Sequence, residues 1–117
     1  MYKMYGIPNC DTVRKARQFM NKQNVDVPFH DIRKDGIDAE DVVLWCQQLG
    51  RDKVLNKRST AWRELSGSEQ QANDDVAVAN LISRYPTLLK RPLLTQNGVA
   101  IVNGFNEKQW LSLVGDR

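Results

Sequence analysis

Cys10 stands where one backbone period gives way to another, and that placement makes its sulfur the candidate reactive group of the chain. Ahead of it, Tyr2, Met4 and Ile7 alternate with smaller or polar residues, and Gly6, Pro8 and Asn9 supply turn chemistry. Behind it, Val13, Ala16, Phe19 and Met20 recur at helical spacing, with Arg14, Lys15, Arg17 and Gln18 between them. A helix that begins within a residue or two of Cys10 points unpaired N–H groups, those around Asp11 and Thr12, at the sulfur. The positive end of its dipole favours thiolate over thiol. Such settings bring a cysteine pKa from about 8.5 down to about 3.5–7.5, so a nucleophile exists at neutral pH. The same N–H groups form a seat for an anion, whether an oxyanion substrate, a carboxylate or a leaving thiolate. The Asp11 carboxylate opposes ionisation of its neighbour unless its side chain caps the helix. Cysteine in a turn is otherwise a small apolar filler, and it is the coincidence of strand, turn, thiol and helix that carries the reactive reading.

The site is monothiol. A dithiol C-x-x-C motif needs a second cysteine at position 13, and that residue is Val13. An oxidised Cys10 must therefore be resolved by an external thiol such as glutathione, or by Cys46 if the fold brings it close. Cys46 lies on an apolar stripe with Val42, Trp45 and Leu49, which predicts burial and inertness. His30, the one histidine, has no second metal ligand or partner carboxylate at motif spacing and is given no role.

The elements that position these residues divide the chain. The first strand stops near Gly6, a helix follows to about residue 24, and Val25–Ile32 reads as a second strand whose Pro28 either places it at a sheet edge or leaves the proline nitrogen side unpaired. Arg33 to Gly36 is a turn, and from Ile37 to Tyr85 the pattern is helical throughout. Within it, Asp38 is a candidate cap, Gly50 a stop, and Asp52–Asn56 a short helical turn. Ser59 or Thr60 caps a helix with Trp62 and Leu65 inward, and Asn73 caps one carrying Val78, Leu81, Ile82 and Tyr85 up to Pro86. Strand character returns at Leu88 as a hairpin that turns at Gln96, Asn97 and Gly98. Asn106 with Gln109 makes a capping box and Phe105 with Trp110 a hydrophobic staple, for a helix through Val114 with Gly115 past its end.

A chain of 117 residues fits one domain, able to bury a core without disulfide or metal staples. No apolar stretch approaches the roughly 20 residues of a membrane span, and the first residues lack the basic and apolar regions of a signal peptide. A cytoplasmic, monomeric protein is expected, where thiols stay reduced and transient redox chemistry is allowed. A net charge of +3 is too small to argue for nucleic acid. No metal and no tightly bound organic cofactor is implied.

The opening YGIPNCDTVRKAR resembles the start of the ArsC/Spx family of arsenate reductase-like proteins, most closely its small YffB-type branch. LNKRSTAWREL, SRYPTLLKRPLL and GFNEKQW resemble the same branch, so the likeness runs nearly end to end. It implies an α/β, thioredoxin-like mixed sheet with a helical insertion: a single domain over 1–117, with core 1–34 and 86–117 and insertion 35–85. It further implies a cis proline at Pro92 beside the reactive cysteine, and an arginine before it, Arg91, that faces the thiolate and binds an anionic substrate or intermediate. Thr12 matches a hydroxyl position in the cysteine loop. A mid-chain arginine near the active site falls on Arg58, with Lys57 and Asn56 as rivals for the matched position.

Two departures shape the functional expectation. Arsenate reductases of the family carry a third arginine after the hairpin, whereas VNGFNE places Asn103 and Gly104 there. One lost charged hydrogen bond costs about 1.5–3 kcal/mol, which counts against arsenate, and Gly104 leaves room for glutathione. The redox switch of Spx regulators uses a C-x-x-C pair, which Val13 removes. The expectation is a glutathione-dependent thiol–disulfide reductase with one nucleophilic cysteine, taking glutathione as co-substrate together with a thiol, disulfide or oxyanion substrate. A glutaredoxin-coupled arsenate reductase and an Spx-like regulator that binds RNA polymerase are the alternatives.

Overall fold

The computed structural model describes residues 1–115 and divides the chain into two compact units, Met1–Asp31 with Arg91–Arg117, and Ile32–Lys90. Each is built around its own set of elements.

The first unit is a mixed four-stranded sheet in the order β2-β1-β3-β4, from β1 (Tyr2–Gly6), β2 (Phe29–Asp31), β3 (Leu93–Gln96) and β4 (Val99–Asn103). Helix α1 (Asp11–Lys22) carries the chain back across the sheet, so β2 joins β1 in parallel, with Met4 opposite Phe29 and Gly6 opposite Asp31. β3 is antiparallel to β1 and forms the hairpin with β4, with a register shift between Leu94 and Thr95. Asn97 and Gly98 make its two-residue turn, both with positive φ (53° and 83°), as a primed hairpin turn requires. This is the α/β, thioredoxin-like sheet anticipated above.

The core of this unit lies on one sheet face. Val13, Ala16, Phe19 and Met20 of α1 meet Met4, Leu94 and Val102, and Trp110 and Val114 close the far side. The staple forms as expected: Phe105 and Trp110 lie 5.2 Å apart, centroid to centroid, and Phe19 packs against both rings. Trp110 is fully buried, and its indole N–H donates to the Gly104 carbonyl at 2.9 Å. Asn106 Oδ1 accepts from the Gln109 N–H at 2.9 Å, capping α7 (Glu107–Trp110).

Three expectations for this unit are corrected. The second strand is confined to Phe29–Asp31, because Pro28 has no N–H to pair and Ile32 opens a helical turn; it does lie at the sheet edge. The hairpin begins at Leu93 and not Leu88, since Pro92 likewise cannot donate to a ladder. The final helix passes after Trp110 into a wider π turn, Leu111–Gly115, so Gly115 lies within the helical stretch and not beyond it.

The second unit is helical, but in short pieces: α2 (Ile32–Asp35), α3 (Ala39–Leu49), α4 (Arg51–Val54), α5 (Thr60–Arg63) and α6 (Asp75–Arg84), with 3-10 turns at Glu69–Gln71 and Pro86–Leu88. The predicted turn at Arg33–Gly36 is therefore α2 with Gly36 following it at φ +76°. The short helical turn expected at Asp52–Asn56 is α4, which begins at Arg51 and stops at Val54, since Leu55 is extended and bridges Leu89. Gly50 ends α3 with φ +96°, a conformation that disfavours a side chain. Ser59 caps α5 by accepting from the Trp62 N–H at 3.1 Å. Asp74, and not Asn73, caps α6, taking the Ala77 N–H at 2.8 Å. Asp38 occupies the N-cap of α3 without a side-chain bond. Val42, Trp45 and Cys46 of α3, with Val78, Ala79, Leu81 and Ile82 of α6, form the buried faces, while Trp62 and Leu65 are only half-buried. Among the described residues no helix is long and apolar enough to cross a membrane.

Candidate active site

The loop Ile7–Cys10 closes with a bond from the Cys10 N–H to the Ile7 carbonyl at 3.3 Å, and the Cys10 carbonyl accepts from Arg14 at 2.9 Å as the first bond of α1. Cys10 is therefore the N-cap residue, extended at φ −99° and ψ 127°. That position has a definite consequence, because an N-cap side chain faces the N–H groups of the second and third helical residues. The donors at this sulfur are Thr12 and Val13, and not Asp11. The neutral thiol makes no capping hydrogen bond, yet these two N–H groups are near enough to stabilise its anion.

The thiol is half-buried and remains reachable. Burial, the largest single influence, pushes its pKa up. The Val13 and Thr12 N–H groups, followed by the Arg91 guanidinium as a charge and as a hydrogen-bond donor, outweigh it and hold the thiol below its ordinary value. Arg91 belongs to the same unit, and the bond that follows it, Arg91–Pro92, is cis. Arg91 is half-buried, with its Nε shielded from solvent.

The remaining candidates fall as follows. Thr12 is exposed and contributes its backbone N–H. The Asp11 carboxylate pairs with Arg14 one turn along the helix, so it is neither the cap nor a hydrogen-bonding partner of the sulfur. Arg58 lies in the second unit, exposed, with its backbone N–H donating to Asn56 Oδ1 at 3.0 Å. Lys57 and Asn56 line the same open recess as Arg58. Cys10, Thr12 and Arg91 converge within one unit, and Arg58 belongs to the other.

Two features at the thiol were not singled out from the sequence. Val13 donates through its backbone, which the apolar side chain conceals; the signal was available in counting two and three residues on from the N-cap. Gly6 makes room for Val13, since a Cβ there would come within 2.9 Å of Val13 Cγ2. Gly104 has a conformational reason to be glycine: its φ is +69°, its N–H donates to the Pro92 carbonyl at 2.8 Å, and its carbonyl receives Trp110. Cys46 is 3% exposed, and its pKa is pushed up to about 11 by burial and by Asp75, with Arg51 only partly offsetting them.

Residues 5–113 match the model of the ArsC family. The chain belongs to the ArsC family. It is 40% identical to an uncharacterised protein of Haemophilus influenzae over 94% of this chain and 96% of that one. Among solved structures, the YffB protein matches with a TM-score of 0.91 at 32% identity, covering 97% of this chain and 99% of that one. The global transcriptional regulator Spx of Streptococcus mutans is 27% identical over 93% of this chain and 80% of the regulator. In this member of the ArsC family the cis proline stands at Pro92 as the resemblance implied, and Asn103 and Gly104 occupy the stretch where a third arginine was sought.

Proposed function

We propose that this protein is a glutathione-dependent thiol–disulfide reductase that works through the single nucleophile Cys10. The observation that carries the proposal is a reachable thiol held below its ordinary pKa by two helix N–H groups and one guanidinium, with no cysteine at position 13 to resolve it. The Cys10 thiolate attacks one sulfur of a disulfide R–S–S–R′, forming Cys10–S–S–R and expelling R′–S⁻. A glutathione thiolate displaces R–S⁻, leaving Cys10 bonded to glutathione, and a second releases Cys10 thiolate with oxidised glutathione. The substrate disulfide gains two electrons and two protons, and two glutathiones supply them. Thr12 and Val13 stabilise the thiolate at the start and finish of each cycle, while Arg91 neutralises charge that develops on the exchanging sulfurs. Glutathione acts as a co-substrate in this scheme, and no metal or resident cofactor takes part.

The experiment is turnover of a small glutathionylated disulfide with glutathione, followed for wild type and Cys10→Ser and set against turnover of arsenate with glutaredoxin. Disulfide turnover that disappears in Cys10→Ser supports the proposal. Arsenate turnover alone would replace it with the oxyanion chemistry for which the family is named. The likeness to Spx supports a second reading, a regulator that contacts RNA polymerase. Capture of polymerase by both wild type and Cys10→Ser, without turnover in either, would favour that reading.

A further inference from the structure

The first unit holds a cleft that the thiol chemistry leaves unused. Helix α1 ends in a tight reversal: the Gln23 N–H donates to the Phe19 carbonyl at 3.1 Å, and Asn24 turns left-handed at φ +57° with its N–H on the Asn21 carbonyl at 3.0 Å. The Val25 N–H then reaches back to the Met20 carbonyl at 3.1 Å, and three residues later the Pro28 carbonyl accepts from the Met4 N–H of β1 at 2.9 Å. The returning segment, 25–29, is thereby fastened near both ends, with the last turns of α1 standing across from it.

Between these two walls lies a cleft of about 190 Å³. Met20 on the helix, Val25 on the returning segment and Met4 on β1 are buried, so its base is apolar. Its rim is polar and exposed, with Arg17 and Asn21 one turn apart on α1 and Asp26 on the facing segment. The Arg17 guanidinium carbon lies 4.3 Å from the Phe29 ring centroid, so the ring holds the cation in place and leaves its N–H edge available. Arg17 and Asp26 line the same cleft, yet among the described residues neither forms an ion pair.

We infer that this cleft binds a free apolar α-amino acid in its zwitterionic form. Size sets the first limit. An apolar cavity of about 150 Å³ admits a benzene ring, so the cleft takes one branched or aromatic side chain and not a drug-sized ligand. Charge sets the second. The planar fork of Arg17 suits the carboxylate, Asp26 takes the ammonium, and the Asn21 amide offers one donor group and one acceptor beside them. A residue inside a peptide carries neither charge, and a simple amine or carboxylate carries one, so the rim favours the free amino acid over both.

The test is a titration of the full-length protein labelled with 13C at its methionine methyl groups, with L-leucine in one arm and L-phenylalanine in the other. The three methionines report separately, because Met4 and Met20 line the cleft and Met1 does not. Saturable shifts of the Met4 and Met20 methyls with Met1 unmoved are expected, and the stronger arm tells an aliphatic from an aromatic preference. N-acetyl-leucine, which lacks the ammonium, and leucinamide, which lacks the carboxylate, should each bind about tenfold more weakly than leucine, the scale of one lost charged hydrogen bond. Arg17→Gln should bring leucine down to the affinity of leucinamide, and Asp26→Asn to that of N-acetyl-leucine. Both side chains are exposed, so the rest of the spectrum should show an intact fold. No saturation in either arm, shifts as large at Met1 as at Met4 and Met20, single-charge analogues that bind as tightly as leucine, or unchanged affinity in the two variants would each overturn the site.

Discussion

Each unit contains one cysteine, and the two thiols are driven in opposite directions. Burial is the largest influence on both and raises both, so burial alone cannot separate a nucleophile from a filler. What differs is the supply of compensating donors. Cys10 stands at the N-cap of α1, where Thr12 and Val13 have N–H groups with no carbonyl one turn back to receive them. Cys46 lies inside α3, where the backbone N–H groups belong to the helix ladder, and its charged neighbours include Asp75, which repels a thiolate. A helix start activates a thiol; a helix interior silences it.

The largest expected effect tests that contrast directly. With a pKa of about 11, Cys46 is thiolate to only about one part in a thousand at pH 8. Iodoacetamide should therefore modify one thiol of the native protein at least roughly a hundredfold faster than the other, with peptide mapping assigning the fast site to Cys10. In denaturant the two rates should converge. Two comparable fast phases in the native protein would remove the distinction between the units.

Arg91→Gln sharpens the first half of the comparison. It removes a charge and a hydrogen bond from the thiolate while leaving the N–H groups of α1 in place. Disulfide turnover should fall by about 10- to 100-fold, the range for one charged hydrogen bond. The pH midpoint of Cys10 alkylation should move up towards that of an ordinary thiol. The sign for stability follows from the same depression. A thiol held below its unfolded pKa adds stability that is fully present above the unfolded value and is lost as pH falls through the folded one. Arg91→Gln should shrink that pH-dependent part and Cys10→Ser should remove it. An alkylation profile that does not move would leave the α1 donors as the whole source of activation.

Gly6→Ala acts one step further away. Its new Cβ would meet Val13 Cγ2 at 2.9 Å and Cγ1 at 3.3 Å, against a β-branched side chain with little rotamer freedom. Overpacking of this kind costs about 1–3 kcal/mol, measurable by urea unfolding. Because the same residue donates its N–H to the sulfur, the Cys10 alkylation midpoint should rise along with the loss of stability. Loss of stability with an unmoved midpoint would separate the packing of Val13 from its donor role.

The parts of this arrangement that sequence could reveal are those fixed by local periodicity. Cys10 at a helix start, the Asn97–Gly98 turn and the Phe105–Trp110 staple depend on residues within a few positions of one another, and all three are present. Arg91 follows from resemblance alone, since nothing local in Lys90–Arg91–Pro92 says that its side chain turns towards Cys10, far away along the chain. The errors have the same origin. Leu88 and Leu89 look like strand, yet Leu89 bridges Leu55 and the Leu88 carbonyl accepts from the Asn56 N–H, and this non-local pairing decides where the chain leaves the helical unit. Asn73 and Asp74 are equally good caps by type, and only the observed bond to Ala77 distinguishes them.

The smallest effects come from two of the helix caps, chosen one from each unit, and they set stability apart from activation. Asp74 accepts from Ala77 at the start of α6 and Asn106 from Gln109 at the start of α7. Replacing either with alanine should cost about 1 kcal/mol in urea unfolding, the usual worth of an N-cap side chain. Neither residue touches the sulfur, so the pH profile of Cys10 alkylation should be the same in both variants as in wild type. Cys10 also occupies an N-cap, but there the Thr12 and Val13 N–H groups serve a charge on the sulfur and the side chain does not hold the helix. If Asp74→Ala or Asn106→Ala shifts the thiol profile as Arg91→Gln does, activation belongs to the stability of the fold at large and not to the first turn of α1.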